Sequence, residues 1–299
     1  EAIAVAADRA ARIEQRVVHE DVVEEGVGLA VGDRVLVEES EQVDLADRRL
    51  DVRLRTRCAG RERMGELVRI TQPVRTHLEI AEIADRTMKL PDGGPALLFE
   101  RPVLPNGRES TIPVAINLYG SRQRMCLALG VDRLDAIGDR IAEMVQLKVP
   151  EGIMGKLSML PKLAEMAKYP PKTRSGKPAC QEIVLRGDDI DLEALPILQT
   201  WPGDGGCYLT LPMLITRDPK TGGRNVGMYR VQVQGKRDLA MHWQRHKSGA
   251  AHWREMAERG ETMPVVIALG GDPASVYSGS APLPPAIDEF LFAGFLRRE

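Results

Sequence analysis

The most uneven feature of this sequence is the placement of its aromatic side chains. None precedes Phe99, and nine fall from Trp201 onward: Trp201, Tyr208, Tyr229, Trp243, Trp253, Tyr277, Phe290, Phe292 and Phe295. Aromatic rings bury large apolar areas and shape pockets. A core or site built on large rings is therefore confined to the C-terminal part of the chain. Residues 1–60 are the opposite extreme, with no aromatic, Pro, Met, Lys or Asn. They consist mostly of Arg, Val, Ala, Asp, Glu and Leu, and offer no large ring to offset the entropy of ordering a chain. We expect 1–60 to be an extension that is weakly folded or foreign to the native protein, with at most a helix at Ala4–Val17 and a strand at Arg34–Glu38. The start at Glu1 rather than Met fits a fragment.

The chain has 299 residues and a formal net charge of −2, so a general nucleic-acid-coating role is not expected. No apolar run reaches the ~18 residues of a membrane span, and with no charged-then-apolar stretch ending in a small-residue cleavage site a secretion signal is not expected. Cys58, Cys126, Cys180 and Cys207 are far apart and contain no CxxC spacing. A disulfide framework is not expected, and a reducing cytoplasm is the default.

From about Arg61 strands and helices alternate. Glu66–Thr71 reads as a strand, Leu78–Thr87 as a helix, and Ala96–Phe99 and Pro113–Leu118 as strands. Asp132–Leu147 carries Leu134, Ile137, Ile141, Met144 and Val145 on one helical face, with Asp132 placed to cap it. This alternation predicts a small α/β domain over 61–165. A Pro-rich, basic stretch then leads into a strand-rich region. Tyr208–Thr216, Asn225–Gln234 and Leu239–Gln244 read as strands, the last two joined by the Gly235–Asp238 hairpin turn. Ala250–Arg259 reads as a helix, Met263–Leu269 as a strand, and Pro284-Pro285 open a terminal helix. The overall class is α+β.

Three of the five histidines fall within eleven residues. His242, His246, Gly249 and His252 match the zinc-peptidase spacing HExxHxxGxxH everywhere but one position, where Trp243 replaces the general-base Glu. The local pattern is also that of a strand, which separates His242 from His246. A zinc metallopeptidase is thus a remote alternative, and purely structural histidines remain open. A different site uses only some of them. Asn225, Tyr229 and Arg230 share one strand; His242, Gln244 and Lys247 lie on or just past its neighbour. Arg230 and Lys247 beside one cleft suit an anion. An Asn carbonyl, a His nitrogen and a Glu carboxylate suit Mg²⁺ or Mn²⁺ bridging to phosphate better than structural zinc. Arg224 reads as a solvated turn charge. Asp272 reads as a turn cap, and Asp288-Glu289 either favour a helix N-terminus or turn Glu289 inward toward a metal.

From Arg61 onward the motifs come in a recognisable order. They include Gly65-Glu66-Leu67, Glu79-Ile80, Asp85-Arg86-Thr87, Gly93–Phe99 and Asn117-Leu118-Tyr119-Gly120-Ser121. Asp189–Leu192, Leu195-Pro196-Ile197, Trp201-Pro202, Asp218-Pro219 and Asn225–Arg230 follow. His242-Trp243 with His246, Ala268–Gly270, Asp272-Pro273, Asp288-Glu289-Phe290 and Ala293–Arg297 complete the series. In this order the chain resembles the UbiD family of prenylated-FMN-dependent decarboxylases, over about four-fifths of its length.

The resemblance implies a small α/β domain followed by a split β-barrel over 166–299 that binds prenylated FMN. It implies Asn225, His246 and Glu289 as ligands of Mn²⁺ or Mg²⁺, with K⁺ beside the cofactor phosphate. Flavin contacts would come from Met228, Tyr229, Arg230, His242, Trp243, Gln244, Lys247 and Ser248. The last two depart from the Arg-Gly of many relatives. Arg230 would also hold the substrate carboxylate or a catalytic acid. The implied reaction is reversible loss of CO₂ from an aromatic or α,β-unsaturated carboxylic acid, in quinone biosynthesis or aromatic acid metabolism, with a weak leaning to the menaquinone type. A flavin prenyltransferase would supply the cofactor, and the full-length protein would be a homo-oligomer. The family's acid/base carboxylates and C-terminal domain lie beyond Glu299, so a catalytically incomplete flavin-binding fragment is the alternative.

Overall fold

In a computed structural model, residues 37–39, 65–145, 168–173, 176, 181, 183–283 and 287–298 are described. The expected helix at Ala4–Val17 and the Pro284-Pro285 helix opening lie outside them. In the described part of the leader, Val37–Glu39 forms strand β1, which pairs in parallel with a strand near the other end of the chain.

The first unit is a strand–helix–strand crossover. Strand β2 (Leu67–Arg75) and strand β3 (Ala96–Val103) pair in parallel. Helix α1 (Glu79–Met88) connects them, and strand β4 (Val114–Ile116) adds antiparallel to β3. The pairing slips between Ile70 and Pro73, because proline cannot donate to a ladder. On one face Ile80 of α1 packs with Val74, Leu97 and Phe99; on the other Leu67, Ala96 and Leu98 are covered by Leu118. Helix α2 (Arg122–Leu129) starts at Ser121, whose hydroxyl accepts from the Arg124 amide. It ends at Gly130 in the left-handed conformation. Helix α3 runs Asp135–Val145. It starts three residues after Asp132, so Asp132 does not cap it.

Several recurring motif residues build a clamp at one end of this sheet. Arg124 is fully buried and donates to the Glu66 carboxylate and to the Gly94 carbonyl. The Asn117 amide donates to the carbonyls of Gly93 and Pro95, at 2.9 Å each. Gly93 has a positive φ, and a Cβ there would lie 1.9 Å from the Gly120 oxygen. Nε and Nη2 of Arg124 have no partner among the described residues, so Glu66 is the carboxylate that balances its charge.

The second unit is strand-rich. Strands β5 (Tyr208–Leu209), β6 (Met213–Arg217), β7 (Arg224–Met228), β8 (Val231–Val233), β9 (Leu239–Met241) and β10 (Val266–Leu269) form two sheets. One has the order β1-β10-β6-β7 and the other β5-β8-β9. They face a shared core of Leu214 and Ile267 from one sheet and Val231, Leu239 and Met241 from the other. Helix α4 (Ser248–Glu258) covers its end through Ala250 and Trp253. The described strands do not close into a barrel. The expected continuous strands over 208–216 and 225–234 are each broken in two, with the halves in different sheets.

Helices α5 (Pro273–Ser280) and α6 (Glu289–Arg297) complete the unit. Asp272 caps α5 and pairs with Arg297 of α6. Phe292, Phe295 and Leu296 of α6 pack with Leu129 and Ile137 of the first unit. Arg140 of α3 donates to the Leu296 carbonyl. Among the described residues no helix is long and apolar enough to cross a membrane.

The clamp yields a first prediction. Glu66→Ala leaves the Arg124 charge buried and unpaired, which should cost about 3 kcal/mol in denaturant unfolding. The double variant Glu66→Ala/Arg124→Met should recover part of that loss. A double variant less stable than the single one would refute the clamp.

Candidate functional site

The break in each long strand run creates the site. Segments 208–217 and 224–233 run antiparallel throughout, but their pairing changes register in the middle. Leu209 pairs with Val231, and the next ladder pair is Met213 with Met228. Three residues (210–212) thus oppose two, Tyr229 and Arg230. Such a mismatch bends a ribbon and re-aims its side chains, and here the chain passes from one sheet to the other. Pro212, without an N–H, sits on the longer side of the break.

The Tyr229 ring folds back over Gly227, where a Cβ would lie 2.2 Å from a ring carbon. Its edge meets Trp243, with centroids 6.0 Å apart at 86°. Its hydroxyl bonds to the Gly249 amide at the start of α4 and to the Asn225 side chain. Burial raises the Tyr229 pKa, the two hydrogen bonds oppose this, and Glu289 adds to it. Tyr229 is therefore a neutral phenol near pH 7.

Glu289 reaches the same place from α6. Asp288 caps that helix through the amides of Phe290 and Leu291, and Arg224 pairs with Asp288 at 2.7 Å. The Arg224 guanidinium also lies over the Phe290 ring, 4.5 Å from its centroid. Arg224 is therefore no solvated turn charge; it fixes the angle at which α6 meets β7. The Glu289 carboxylate then accepts from the Val226 amide at 3.1 Å. Its pKa is raised, first by burial and then by Asp288, with the two amides and Arg224 opposing. A half-buried carboxylate held on the backbone amide that follows Asn225 is a fit for a hard cation.

The structure brings Asn225, Tyr229 and Glu289 together. His246 is exposed in the turn before α4. It stands three residues before Gly249, a span of roughly 10 Å at most. Gln244 and Lys247 are exposed in the same stretch, and so is Ser248, the first residue of α4. The α4 N-terminus has no side-chain cap, which together with Lys247 suits a phosphate. His242 follows β9, and its amide donates to the Arg230 carbonyl at 3.2 Å. Trp243 is fully buried beneath Gly249, so only its backbone can face a ligand. Met228 ends β7, half-buried. Arg230 is 48% exposed, lies over the Tyr208 ring at 4.8 Å, and is 3.7 Å from Asp204. Asp204 is itself held by the Thr200 hydroxyl and the Trp201 amide.

His252 does not join His242 and His246. It sits on α4 with Nδ1 3.0 Å from the Thr216 hydroxyl. Among the described residues no three His, Cys, Asp or Glu side chains form a metal cluster, which removes support for a three-histidine zinc site. Cys126 and Cys207 are free thiols.

Two family models match the chain. That of the UbiD 3-octaprenyl-4-hydroxybenzoate carboxy-lyase Rift-related domain covers residues 172–299. That of the N-terminal domain of the same carboxy-lyase covers residues 59–143. An uncharacterised protein of Aquifex aeolicus is 47% identical over 236 residues, 79% of this chain and 47% of the relative. One of Archaeoglobus fulgidus is 45% identical over 239 residues, 80% of this chain and 47% of the relative. The chain thus spans about half the length of these curated relatives. Among solved structures, it is similar to the UbiD-class enzyme HmfF from Pelotomaculum thermopropionicum in complex with FMN. There the TM-score is 0.62 at 28% identity, over 81% of this chain and 48% of HmfF. An evolved dimeric form of that enzyme with prFMN gives 0.63 at 28% identity, over 81% of this chain and 50% of that one. Vanillic acid decarboxylase of Sedimentibacter hydroxybenzoicus shares the fold, with TM-score 0.65 at 23% identity, over 82% and 48%.

The raised Glu289 pKa gives a signed prediction. Above that pKa the folded state carries a burial penalty on the ionised group; below the ordinary value of 4.5 both states are protonated and the penalty vanishes. Glu289→Gln keeps an oxygen for the Val226 amide and removes the charge. In metal-free buffer its Tm at pH 7.5 should equal or exceed the parent's, and any gain should disappear toward pH 4. A variant clearly less stable at pH 7.5 and recovering in acid would show that the carboxylate is stabilising.

Proposed function

The chain belongs to the UbiD family, and from that footing we propose that it is the cofactor-binding portion of a prenylated-FMN-dependent decarboxylase. The single observation that carries this reading is the meeting of Asn225, Tyr229 and Glu289 at the sheet-switching bend, beside the uncapped start of α4. Asn225 and Glu289 supply oxygens and His246 a nitrogen to one Mn²⁺ or Mg²⁺, which with K⁺ neutralises the cofactor phosphate. Lys247, Ser248 and the α4 amides take the phosphate's remaining oxygens. Met228, Tyr229, His242, Gln244 and the Trp243 backbone line the flavin.

The chemistry such a cofactor supplies when bound is acceptance of the electron pair left on carbon as CO₂ departs. The chain's residues bind and orient. Arg230, half-exposed on the Tyr208 ring, is placed to hold a substrate carboxylate. Asp204 holds that guanidinium in place between substrates. Tyr229, kept as a neutral phenol, closes the gap between β7 and α4 without adding charge. The substrate is an aromatic or α,β-unsaturated carboxylic acid, and a role in quinone biosynthesis or aromatic acid metabolism in the cytoplasm follows from the same reading. A flavin prenyltransferase supplies the cofactor, and the whole protein acts as a homo-oligomer.

Co-expression with a flavin prenyltransferase in Mn²⁺-supplemented medium should yield a coloured protein that contains flavin and manganese. Asn225→Ala and Glu289→Ala should each purify with at least about tenfold less flavin, by absorbance after denaturation, while keeping the parent far-UV spectrum. A colourless parent, or full flavin content in both variants, would overturn the assignment.

A further inference from the structure

Asn225 can serve a cation only if its carbonyl oxygen, not its NH₂ group, faces outward. The two ends of an amide have nearly the same shape, so a neighbouring group must choose between them. Thr216 stands directly across the ladder from Asn225 and is 2% exposed. Its hydroxyl is the middle of a chain. On one side lies His252 Nδ1 at 3.0 Å, on the other Asn225 Nδ2 at 3.4 Å.

A hydroxyl has one hydrogen to give. If His252 Nδ1 carries a lone pair, Thr216 donates to it and can only accept from Asn225. The NH₂ group must then face Thr216. The same side chain is also within hydrogen-bond reach of the Tyr229 hydroxyl. Oδ1 is then the end of the amide turned away from Thr216. If Nδ1 instead carried the hydrogen, Thr216 would accept from His252 and be free to donate to Asn225 Oδ1, turning the wrong end inward. Burial lowers the His252 pKa, against the raising charge of Asp218, so the ring is neutral and one of its nitrogens is an acceptor.

We propose that Thr216 and His252 are positioning residues: the Nε2–H tautomer of His252 fixes the Thr216 hydroxyl, which fixes Asn225 with Oδ1 directed at the cation. This rests on the cation reading of Asn225, but its first test does not. In the metal-free chain, ¹⁵N shifts of His252 should report Nδ1 unprotonated and Nε2 protonated. An Nδ1–H tautomer would overturn the proposal whatever the chain binds.

The second test is Mn²⁺ affinity by electron paramagnetic resonance. Thr216→Val should weaken binding by about 10- to 100-fold, the usual effect of losing a partner behind a ligand. Thr216→Ser should restore affinity to within a few-fold, and His252→Phe should weaken it like Thr216→Val. If the parent binds Mn²⁺ in an Asn225-dependent way and Thr216→Val binds equally well, the positioning role is wrong while the cation site stands. If the parent binds no Mn²⁺, the cation site itself fails and this proposal falls with it.

Discussion

The structure of the site depends on one mismatch: three residues facing two in an otherwise regular antiparallel ribbon. A continuous ribbon from Tyr208 to Val233 would carry Tyr229 and Arg230 on opposite faces of one flat sheet. The mismatch instead turns the chain through a corner, so Tyr229 folds back onto Gly227 and Trp243 while Arg230 lies over Tyr208. The corner is held from both sides. Gly227 accepts the folded-back Tyr229 ring, and Gly249 lets the start of α4 rest on Trp243. From the far end of the chain, Arg224 and Asp288 bring α6 onto β7 and deliver Glu289. Residues about 60 positions apart thus meet because the strand they meet on does not continue.

Much of the element pattern was legible in the sequence. The β–α–β start, the Gly235–Asp238 hairpin, helix α4 and strand β10 were read at nearly their observed places, because local periodicity and turn chemistry decide them. The breaks in the two long strands were not. Tyr208–Thr216 alternates well enough to pass for one strand, and the register change depends on pairing with a segment whose own break is equally silent. Helix α2 was missed although Ser121 and Gly130 bracket it, since its polar residues gather in the first turn and its apolar ones in the rest, leaving no one-sided stripe. The proposed ligand types were readable from resemblance and donor chemistry. The supporting partners were not: Arg224 looked like a turn charge because Asp288 is 64 residues away, and Thr216 looked like any strand threonine.

The motif residues divide by physical task. Glu66, Gly93, Asn117 and Ser121 belong to the same series of motifs as the site residues, yet with Arg124 they tie loops of the first unit together. Asp272 likewise caps a helix and pairs with Arg297. Asn225, Tyr229 and Glu289 are the motif residues that converge. Their geometry places two uncharged polar groups and one half-buried carboxylate together, a set with acceptor oxygens and no internal cation.

The central claim is that this convergence is a cation site. Crystals grown with Mn²⁺ and measured above and below the manganese absorption edge test it most directly. The account predicts an anomalous peak within bonding distance of Asn225 Oδ1, the Glu289 carboxylate and a His246 ring nitrogen. Manganese bound elsewhere on the chain, with no peak between Asn225 and Glu289, would contradict it.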